Sequence, residues 1–308
     1  MILVKKTRIN RQRFKKLFDG QAVIGKTTQG GLNRPAFSHN HILVRRWLTD
    51  IAEESNLECK TDKAGNHFFT LPSLSPDAKT ILIGSHMDSV TNGGRFDGAL
   101  GVIAGLEVLM TIRDQQIDLP YNLTVVDFSD EEGNWLGLLG SRAFTGLLTE
   151  EEVRTPRGGY ENLTKALAEI ELAPENLLEA KADLSKVAAY FELHIEQGKR
   201  LEKAGLEIGV VDNIVGVCSY MLRFTGRADH AGTIGMDERL DAGRGAARFI
   251  LEAKDLVVDK FKPGVVNVGQ IEFKPGSFNI VPSEAVFALE FRATEQQQFD
   301  DIETALLA

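Results

Sequence analysis

The sequence has few cysteines and no long apolar run, and each of these features excludes some classes of protein. Its two cysteines, Cys59 and Cys218, lie far apart, so the chain offers neither a disulfide framework nor a CxxC metal pair. No apolar stretch approaches the ~20 residues that a membrane-spanning helix needs. The basic start, MILVKKTRINRQRF, lacks the sustained apolar segment of a secretory signal. We therefore expect a cytoplasmic protein.

Positive charge is also scarce. The chain has 35 Lys and Arg against 44 Asp and Glu, a formal net charge of −9, which argues against nucleic acid or an anionic membrane as a partner. Its 43% of hydrophobic residues is ordinary for a globular protein. The 308 residues suffice for one large or two ordinary domains with a substantial core.

The first two thirds of the chain alternate short β-like runs with helical patterns. Ser38 precedes a helical pattern that begins HNHILVRRWL, and NHFFTL, TILIGSH and LTVVDFS are predicted strands. The helical run ALGVIAGLEVLMTIR lies between the last two, and this strand–helix–strand order predicts a mostly parallel sheet covered by helices. A further buried strand is expected in YFELHIEQG, at 190–198.

The pattern changes after about residue 209. The order of predicted elements there is β-α-β-β-α, one strand short of a ferredoxin-like split βαβ domain. The predicted elements lie at 215–228, 237–255, 265–274, 284–293 and 294–307. We therefore predict an α/β fold with a domain at 1–209 and a smaller one at 210–308.

Histidine is rare and unevenly placed. Of six histidines, His86 and His194 fall where predicted strands end in acidic or polar residues, SHMDS and LHIEQG. Ligands gather at the carboxyl ends of strands in open α/β sheets. Imidazole and carboxylate groups without thiolates suit Zn²⁺ or Mn²⁺.

The stretch GSHMDSVTNGGRFDGALGV could supply half of such a metal site. Asp88 follows His86 by two residues, so on a strand both side chains face one way and Asp88 can fix the ring. The glycines let the chain turn back so that Asp97 can approach. The alternative is that Asp97 only caps a helix and His86 is an ordinary strand-end histidine.

Three successive carboxylates follow another predicted strand, at Asp130, Glu131 and Glu132. Such groups repel one another unless cations are present. Because adjacent side chains diverge, one carboxylate can bind a metal ion while its neighbour accepts a proton from water. A solvated acidic turn is the alternative.

Taken together, the motifs resemble the M20-type metallohydrolase superfamily, and specifically its amidase (hydantoinase/carbamoylase) branch. That branch acts on N-carbamoyl amino acids, ureidopropionate and allantoate. The resemblance runs from about Phe14 to the last residue. Its motifs here are GGLNRPAFS, GSHMDSVTNGGRFDGALGV, DEEG, ELHIEQG, GRADHAGT, FNIVPSEA and FR.

The resemblance implies two divalent metal ions, Zn²⁺ or Mn²⁺, bridged by Asp97. His86 and His194 would complete the protein ligands of one ion, and Glu132 would bind the other. The family has one more histidine near its C-terminus, whereas the last histidine here is His230. We therefore expect the second metal site to be incomplete and weak in this chain, which would be a fragment or a natural truncation.

The resemblance also implies catalytic and substrate-binding roles. Glu131 would be the general base and then the acid, and Asp88 would orient His86. The positions that match the family's substrate-binding residues are Gln197, His230, Asn279 and Arg292. Arg292 could pair with a substrate carboxylate and His230 could donate to the developing oxyanion. The alternatives are a surface strand cation and an ordinary loop histidine.

The implied reaction is hydrolysis of a linear amide or carbamoyl C–N bond in a small acidic substrate. The second domain would be an inserted lid that also forms a homodimer. An aminopeptidase or deacylase is the nearest alternative, and His194 with Gln197 favours the carbamoyl branch. A catalytically silent relative, kept as a binding or dimerising protein, is the alternative from another class.

Overall fold

The computed structural model describes residues 7–308 and divides the chain into two compact units. One unit ends at Arg200 and the other spans Leu201–Ala308. The predicted catalytic and lid domains meet after residue 209, and their assignment to these units stays a prediction. Within residues 7–308, no helix is both long and apolar enough to cross a membrane.

The first unit combines a five-stranded sheet with helices. Its helices and strands follow the chain in the order α1 (Arg11–Gln21), α2 (His39–Glu54), β1 (Glu58–Thr61), β2 (His67–Leu71), β3 (Thr80–His86), α3 (Ala99–Asp114), β4 (Asn122–Phe128), α4 (Leu139–Thr145), α5 (Glu150–Arg154), α6 (Tyr160–Ala168) and β5 (Val187–Phe191).

The sheet of the first unit is mixed, so the prediction of a mostly parallel sheet is wrong in half of its pairings. The strand order is β1-β2-β4-β3-β5. β4–β3 and β3–β5 are parallel, as the β3–α3–β4 crossover requires. β1–β2 and β2–β4 are antiparallel. The three parallel strands therefore end at one edge of the sheet.

Helix α3 holds the centre of the first unit's core. Its sequence is apolar on almost every face, and Val102, Ile103, Leu106 and Leu109 are fully buried. They pack in one cluster with residues of α1, α2 and the sheet. A helix that is apolar on all sides is typically buried. Helix α3 packs against the strands that lead to the candidate site.

The second unit has an antiparallel three-stranded sheet, in the order β6-β8-β7, with two long helices. The predicted β-α-β-β-α succession is observed. After the short α7 (Arg200–Ala204), the elements are β6 (Gly216–Thr225), α8 (Ala242–Lys260), β7 (Val265–Lys274), β8 (Glu284–Ala293) and α9 (Gln296–Leu307). Inward side chains of β8, among them Phe287, Leu289 and Phe291, are fully buried.

A buried ion pair fastens α2 to β4. Arg45 Nε donates to Asp127 Oδ2 at 2.7 Å, and the two side chains are 5% and 0% exposed. The other carboxylate oxygen of Asp127 accepts the Met87 N–H at 2.8 Å. Asp127 therefore ties α2 to the backbone immediately after His86.

Breaking this pair is expected to destabilise the first unit. Replacing Arg45 with methionine leaves the Asp127 carboxylate buried without its cation, at a cost of about 3–5 kcal/mol in the free energy of unfolding. Urea unfolding followed by circular dichroism measures the loss. The adjacent, exposed Arg46 replaced with methionine is the matched control, and a loss below about 1 kcal/mol in Arg45→Met would contradict the role of the pair.

Candidate active site

The ends of the three parallel strands bring the predicted polar residues to one edge of the sheet. β3 ends at His86 itself, β4 ends two residues before Asp130, and β5 ends three residues before His194. Asp97 reaches the same edge from the loop that precedes α3. The predicted strand in residues 190–198 ends early, at Phe191, so His194 lies on a loop.

His86 is buried and held by the residue that was predicted to orient it. Its Nδ1 lies 3.1 Å from the Asp88 carbonyl oxygen and 3.5 Å from Asp88 Oδ1. A carbonyl oxygen only accepts, so Nδ1 carries a proton and Nε2 is the ring atom that could bind a metal ion in place of its own proton. Nε2 in turn lies 3.4 Å from Glu131 Oε2.

His194 shows the same arrangement on the other side of the site. Its Nδ1 donates to the Ile195 carbonyl oxygen at 2.8 Å, which leaves Nε2 unprotonated in the neutral ring. That Nε2 lies 3.2 Å from Asp97 Oδ1. Gln197 Nε2 donates to the second oxygen, Asp97 Oδ2, at 2.8 Å.

Three of the four predicted metal ligands form one cluster. Ligand atoms of His86, Asp97 and His194 all lie within 4.8 Å of one another. Among residues 7–308, this is the one such group of three or more His, Cys, Asp or Glu side chains. Glu132 lies outside it. Two imidazoles that can each offer Nε2 to a metal ion, together with one carboxylate, fit a divalent ion such as Zn²⁺ or Mn²⁺.

The charges around His86 also fit a cation. Burial by itself would lower the pKa of His86, but the Asp88 carboxylate and the two glutamates of DEEG raise it to about 10. The site thus concentrates negative charge around an imidazole. A divalent ion at Nε2 would balance that charge in place of the proton.

Asp130 fixes the backbone of the acidic turn, residues 130–133, through hydrogen bonds to nearby residues. Asp130 has φ 53° and accepts three backbone N–H groups, from Asn134, Trp135 and Leu136 at 2.7–3.0 Å. Asp130 therefore shapes the turn with its carboxylate already satisfied. The side-chain carboxylates of the two glutamates that follow, Glu131 and Glu132, remain available to the site.

Asp88 fastens the acidic turn to β3. Its Oδ1 and Oδ2 accept the backbone N–H groups of Glu131 and Glu132 at 3.3 and 3.1 Å. Burial raises the pKa of both glutamate side chains above the usual range. A glutamate with a raised pKa is suited to accept a proton and to release it again.

Gly98 makes the approach of Asp97 to His86 possible. It has φ 62°, and a Cβ there would lie 2.4 Å from the His86 carbonyl oxygen and 2.6 Å from its ring. Backbone at this φ suits glycine. The glycine-rich loop therefore lets the chain pass directly over His86 before α3 begins.

The other predicted substrate-binding residues, His230, Asn279 and Arg292, lie in the second unit. His230 Nδ1 accepts the Gly232 N–H at 3.1 Å, so the neutral ring carries its proton on Nε2. The Asn279 carbonyl oxygen accepts the Ala231 N–H at 2.9 Å, which holds these two loops together. Arg292 is exposed on β8 and its Nε donates to Glu290 Oε1 at 2.8 Å.

Sequence reasoning missed two acidic residues at this edge of the first unit. One is Asp127. It is the single charged residue in the apolar run LTVVDFS, and this isolated charge in a predicted strand is the signal that could have identified it. The other is Glu192, which accepts the Tyr190 hydroxyl at 2.7 Å and also the Ser85 hydroxyl. Asp127 holds the backbone next to His86, and Glu192 binds the hydroxyl of Ser85, the residue before His86.

The chain is similar to a described family and to proteins of known activity. Residues 82–304 match the family described as Peptidase family M20/M25/M40. An N-carbamoyl-L-amino acid amidohydrolase of Geobacillus stearothermophilus is 35% identical over 285 residues, which cover 92% of this chain and 69% of the relative. An allantoate amidohydrolase of Bacillus subtilis is 28% identical over 292 residues, 93% of this chain and 70% of the relative.

A solved structure shares the fold. It is an amidase of the hydantoinase/carbamoylase family from Burkholderia phymatum, with a TM-score of 0.81 and 33% identity. The alignment covers 98% of this chain and 74% of that one.

Proposed function

The chain belongs to peptidase family M20/M25/M40 and to its hydantoinase/carbamoylase amidases, and from that premise we propose that it hydrolyses a linear C–N bond other than a peptide bond. The proposed substrates are small acidic molecules of the N-carbamoyl amino acid, ureidopropionate or allantoate type. The products would be an amino acid or ureido compound with ammonia and CO₂.

One observation carries this proposal. Ligand atoms of His86, Asp97 and His194 come within 4.8 Å of one another, and the Glu131 carboxylate stands 3.4 Å from His86 Nε2. A set of metal ligands beside a carboxylate that is not one of them is the arrangement that metal-assisted hydrolysis needs.

The proposed metal ligands divide between two divalent ions. His86 and His194 would hold one ion, Glu132 would hold the other, and Asp97 would bridge them. Ions bound there would supply the charge that polarises a substrate carbonyl and makes a water molecule more acidic.

Glu131 would move the proton in the proposed reaction. Its Oε2 accepts a proton from the attacking water and then gives it to the leaving nitrogen. Asp88 serves this step indirectly, because it holds both the His86 ring and the backbone N–H of Glu131.

The substrate would be held by Gln197, His230, Asn279 and Arg292. His230 presents an Nε2–H, because its Nδ1 accepts the Gly232 N–H, and that donor suits a developing oxyanion. Arg292 offers a planar fork that matches a carboxylate with two parallel hydrogen bonds.

Replacing Arg292 with lysine is expected to raise KM for the acidic substrate about 10- to 100-fold, because a point charge loses one charge-assisted hydrogen bond. kcat should change far less, and circular dichroism should show an unchanged fold. Arg223 on β6 is the matched control, an exposed strand arginine 3.6 Å from Glu284, and Arg223→Lys should leave KM unchanged. An unaltered KM in Arg292→Lys would remove Arg292 from the carboxylate site.

We also propose that the second unit is the lid and forms a homodimer. β6 and β7 are the edge strands of its sheet within the described residues. Met221 on β6 and Phe273 on β7 are exposed apolar side chains on these edges, as a pairing surface would present. Light scattering after size exclusion should give twice the mass of one chain, and a monomer at micromolar concentration would contradict the dimer.

Ammonia release tests the proposed function directly. The chain is loaded with Mn²⁺ or Zn²⁺ and given an N-carbamoyl amino acid, ureidopropionate or allantoate, with chelator-treated protein as the control. At least one of the three should be hydrolysed. Cleavage of a dipeptide or an N-acetyl amino acid with none of the three would favour an aminopeptidase or deacylase instead.

A further inference from the structure

The motif GGLNRPAFS, residues 30–38, contains none of the candidate ligands, proton carriers or substrate-binding residues. The structure places it beside the Asp97 loop, which we define as residues 87–98, between β3 and α3. Leu32 and Gly93 exchange two backbone hydrogen bonds, at 2.9 and 2.8 Å. The motif therefore lies along the loop that carries Asp97 to the site.

Arg34 is the charged residue at the centre of this motif. Its side chain is fully buried, and its Nη1 donates to the carbonyl oxygen and to Oε1 of Gln21, at 3.2 and 2.8 Å. Among residues 7–308 its Nε and Nη2 find no hydrogen-bond partner. Burying a charge with unused donors is costly, and an apolar side chain would serve packing alone. The contact with Gln21 is therefore the one that needs an explanation.

Gln21 connects Arg34 to the Asp97 loop. It is the last residue of α1 and is also fully buried. Its Nε2 donates to the Arg95 carbonyl oxygen at 3.1 Å. Arg95 precedes Asp97 by two residues, which span at most about 7 Å. This hydrogen bond therefore fixes the backbone close to the proposed metal ligand.

Arg34 determines which way the Gln21 amide points. A guanidinium only donates hydrogen bonds, so the amide oxygen of Gln21 has to face Arg34. The amide nitrogen then faces the Arg95 carbonyl oxygen, which only accepts. An apolar residue at position 34 would remove the partner that fixes this orientation.

We propose that Arg34 and Gln21 are positioning residues that hold Asp97 in the place from which it binds metal. They act through the Arg95 carbonyl oxygen. A ligand whose backbone has to be ordered when the ion arrives loses affinity to the entropy of that ordering. The inference rests on the proposed function, because it takes Asp97 as a metal ligand.

A surface contact of the same loop is the competing anchor. The Arg95 side chain pairs with Asp19 of α1 at 2.6 Å, and both side chains are more than 40% exposed. Exposed ion pairs contribute little to stability. We therefore expect the buried hydrogen bond to the Arg95 backbone, and not the exposed pair, to hold the loop.

Gln21→Glu in the full chain separates positioning from general stability. The carboxylate still accepts from Arg34 and neutralises the guanidinium buried beside it, but it has no N–H for the Arg95 carbonyl oxygen. Calorimetric titration of the metal-free protein with Zn²⁺ or Mn²⁺ should show an affinity about tenfold weaker. Hydrogen exchange should be faster in the Asp97 loop of the metal-free variant, while the midpoint of its urea unfolding stays unchanged.

Asp19→Asn is the matched control, because it removes the exposed contact with the same Arg95 and keeps the buried one. Its metal affinity and loop exchange should equal those of the unaltered chain. Arg34 supplies an independent pair of variants. Arg34→Met should weaken metal binding as Gln21→Glu does, and Arg34→Lys should restore part of the affinity, since an ammonium also only donates and keeps the Gln21 amide oriented.

Metal binding that Gln21→Glu leaves unchanged would overturn this inference alone, and so would an equal loss in Asp19→Asn. A lower urea midpoint in Gln21→Glu with unaltered loop exchange would show general destabilisation and would also overturn it. Absence of Zn²⁺ and Mn²⁺ binding by the unaltered chain would overturn the proposed function, and this inference with it.

Discussion

Replacing Glu131 with glutamine is expected to lower kcat by about 10²- to 10⁴-fold and to leave the metal content nearly intact. The amide keeps the size and shape of the side chain but cannot accept the proton of the attacking water. The contacts that hold the site would persist, because Asp88 binds the backbone N–H of residue 131 and not its side chain. Ammonia release gives kcat, and elemental analysis gives the metal content.

Glu132→Gln is the matched control for Glu131→Gln. The two residues are adjacent, both half-buried, and each donates its backbone N–H to Asp88. Glu132→Gln should reduce the metal bound in excess Mn²⁺ or Zn²⁺, since Glu132 is the proposed ligand of the second, weaker site. Equal metal loss in the two variants would contradict this division of labour between the neighbouring glutamates.

Much of the first unit could be predicted because its strands and central helix carry strong patterns. β3, α3 and β4 lie within a residue of the apolar runs that predicted them. β1 was missed, because a four-residue strand paired on one side and largely exposed has no periodicity to read. The antiparallel direction of β2 was missed as well, because alternation defines the faces of a strand but not its neighbour or direction.

Helix α1 was missed for a different physical reason. Its Phe14, Leu17 and Phe18 are scattered among charged residues, and their burial depends on packing against the core of α3. An ion pair of 2.6 Å between Arg13 and the buried Glu107 fixes the two helices together. These contacts join residues more than 90 positions apart, so no local window of sequence contains them.

The candidate site was predictable where it follows from topology. His86 and His194 each come at or just beyond the end of one of two adjacent parallel strands, which bring them to the same edge. The detailed role of Asp88 was less predictable. Because β3 ends at His86, Asp88 lies beyond the strand, and its carbonyl oxygen makes the shorter contact with the ring. Its carboxylate serves the acidic turn.

Replacing His86 with alanine is expected to strip most of the bound metal and, with it, the activity. His86 is the most deeply buried member of the cluster, and its Nε2 is oriented before any ion arrives. Alanine removes that ligand from a site already formed, and the lost metal affinity should exceed the ~10- to 100-fold typical of changes to supporting residues. Asp97→Ala should do the same, because Asp97 is the residue that both ions would share.

The control for His86→Ala is His39→Ala, which removes an exposed histidine at the start of α2. Elemental analysis after gel filtration should find full metal in His39→Ala and little in His86→Ala or Asp97→Ala. Urea unfolding separates metal loss from a collapsed fold, because a folded apo variant keeps a cooperative transition that added Mn²⁺ or Zn²⁺ no longer stabilises. Full occupancy in either cluster variant would refute the metal site, and the proposed hydrolysis would then lack the ion on which it depends.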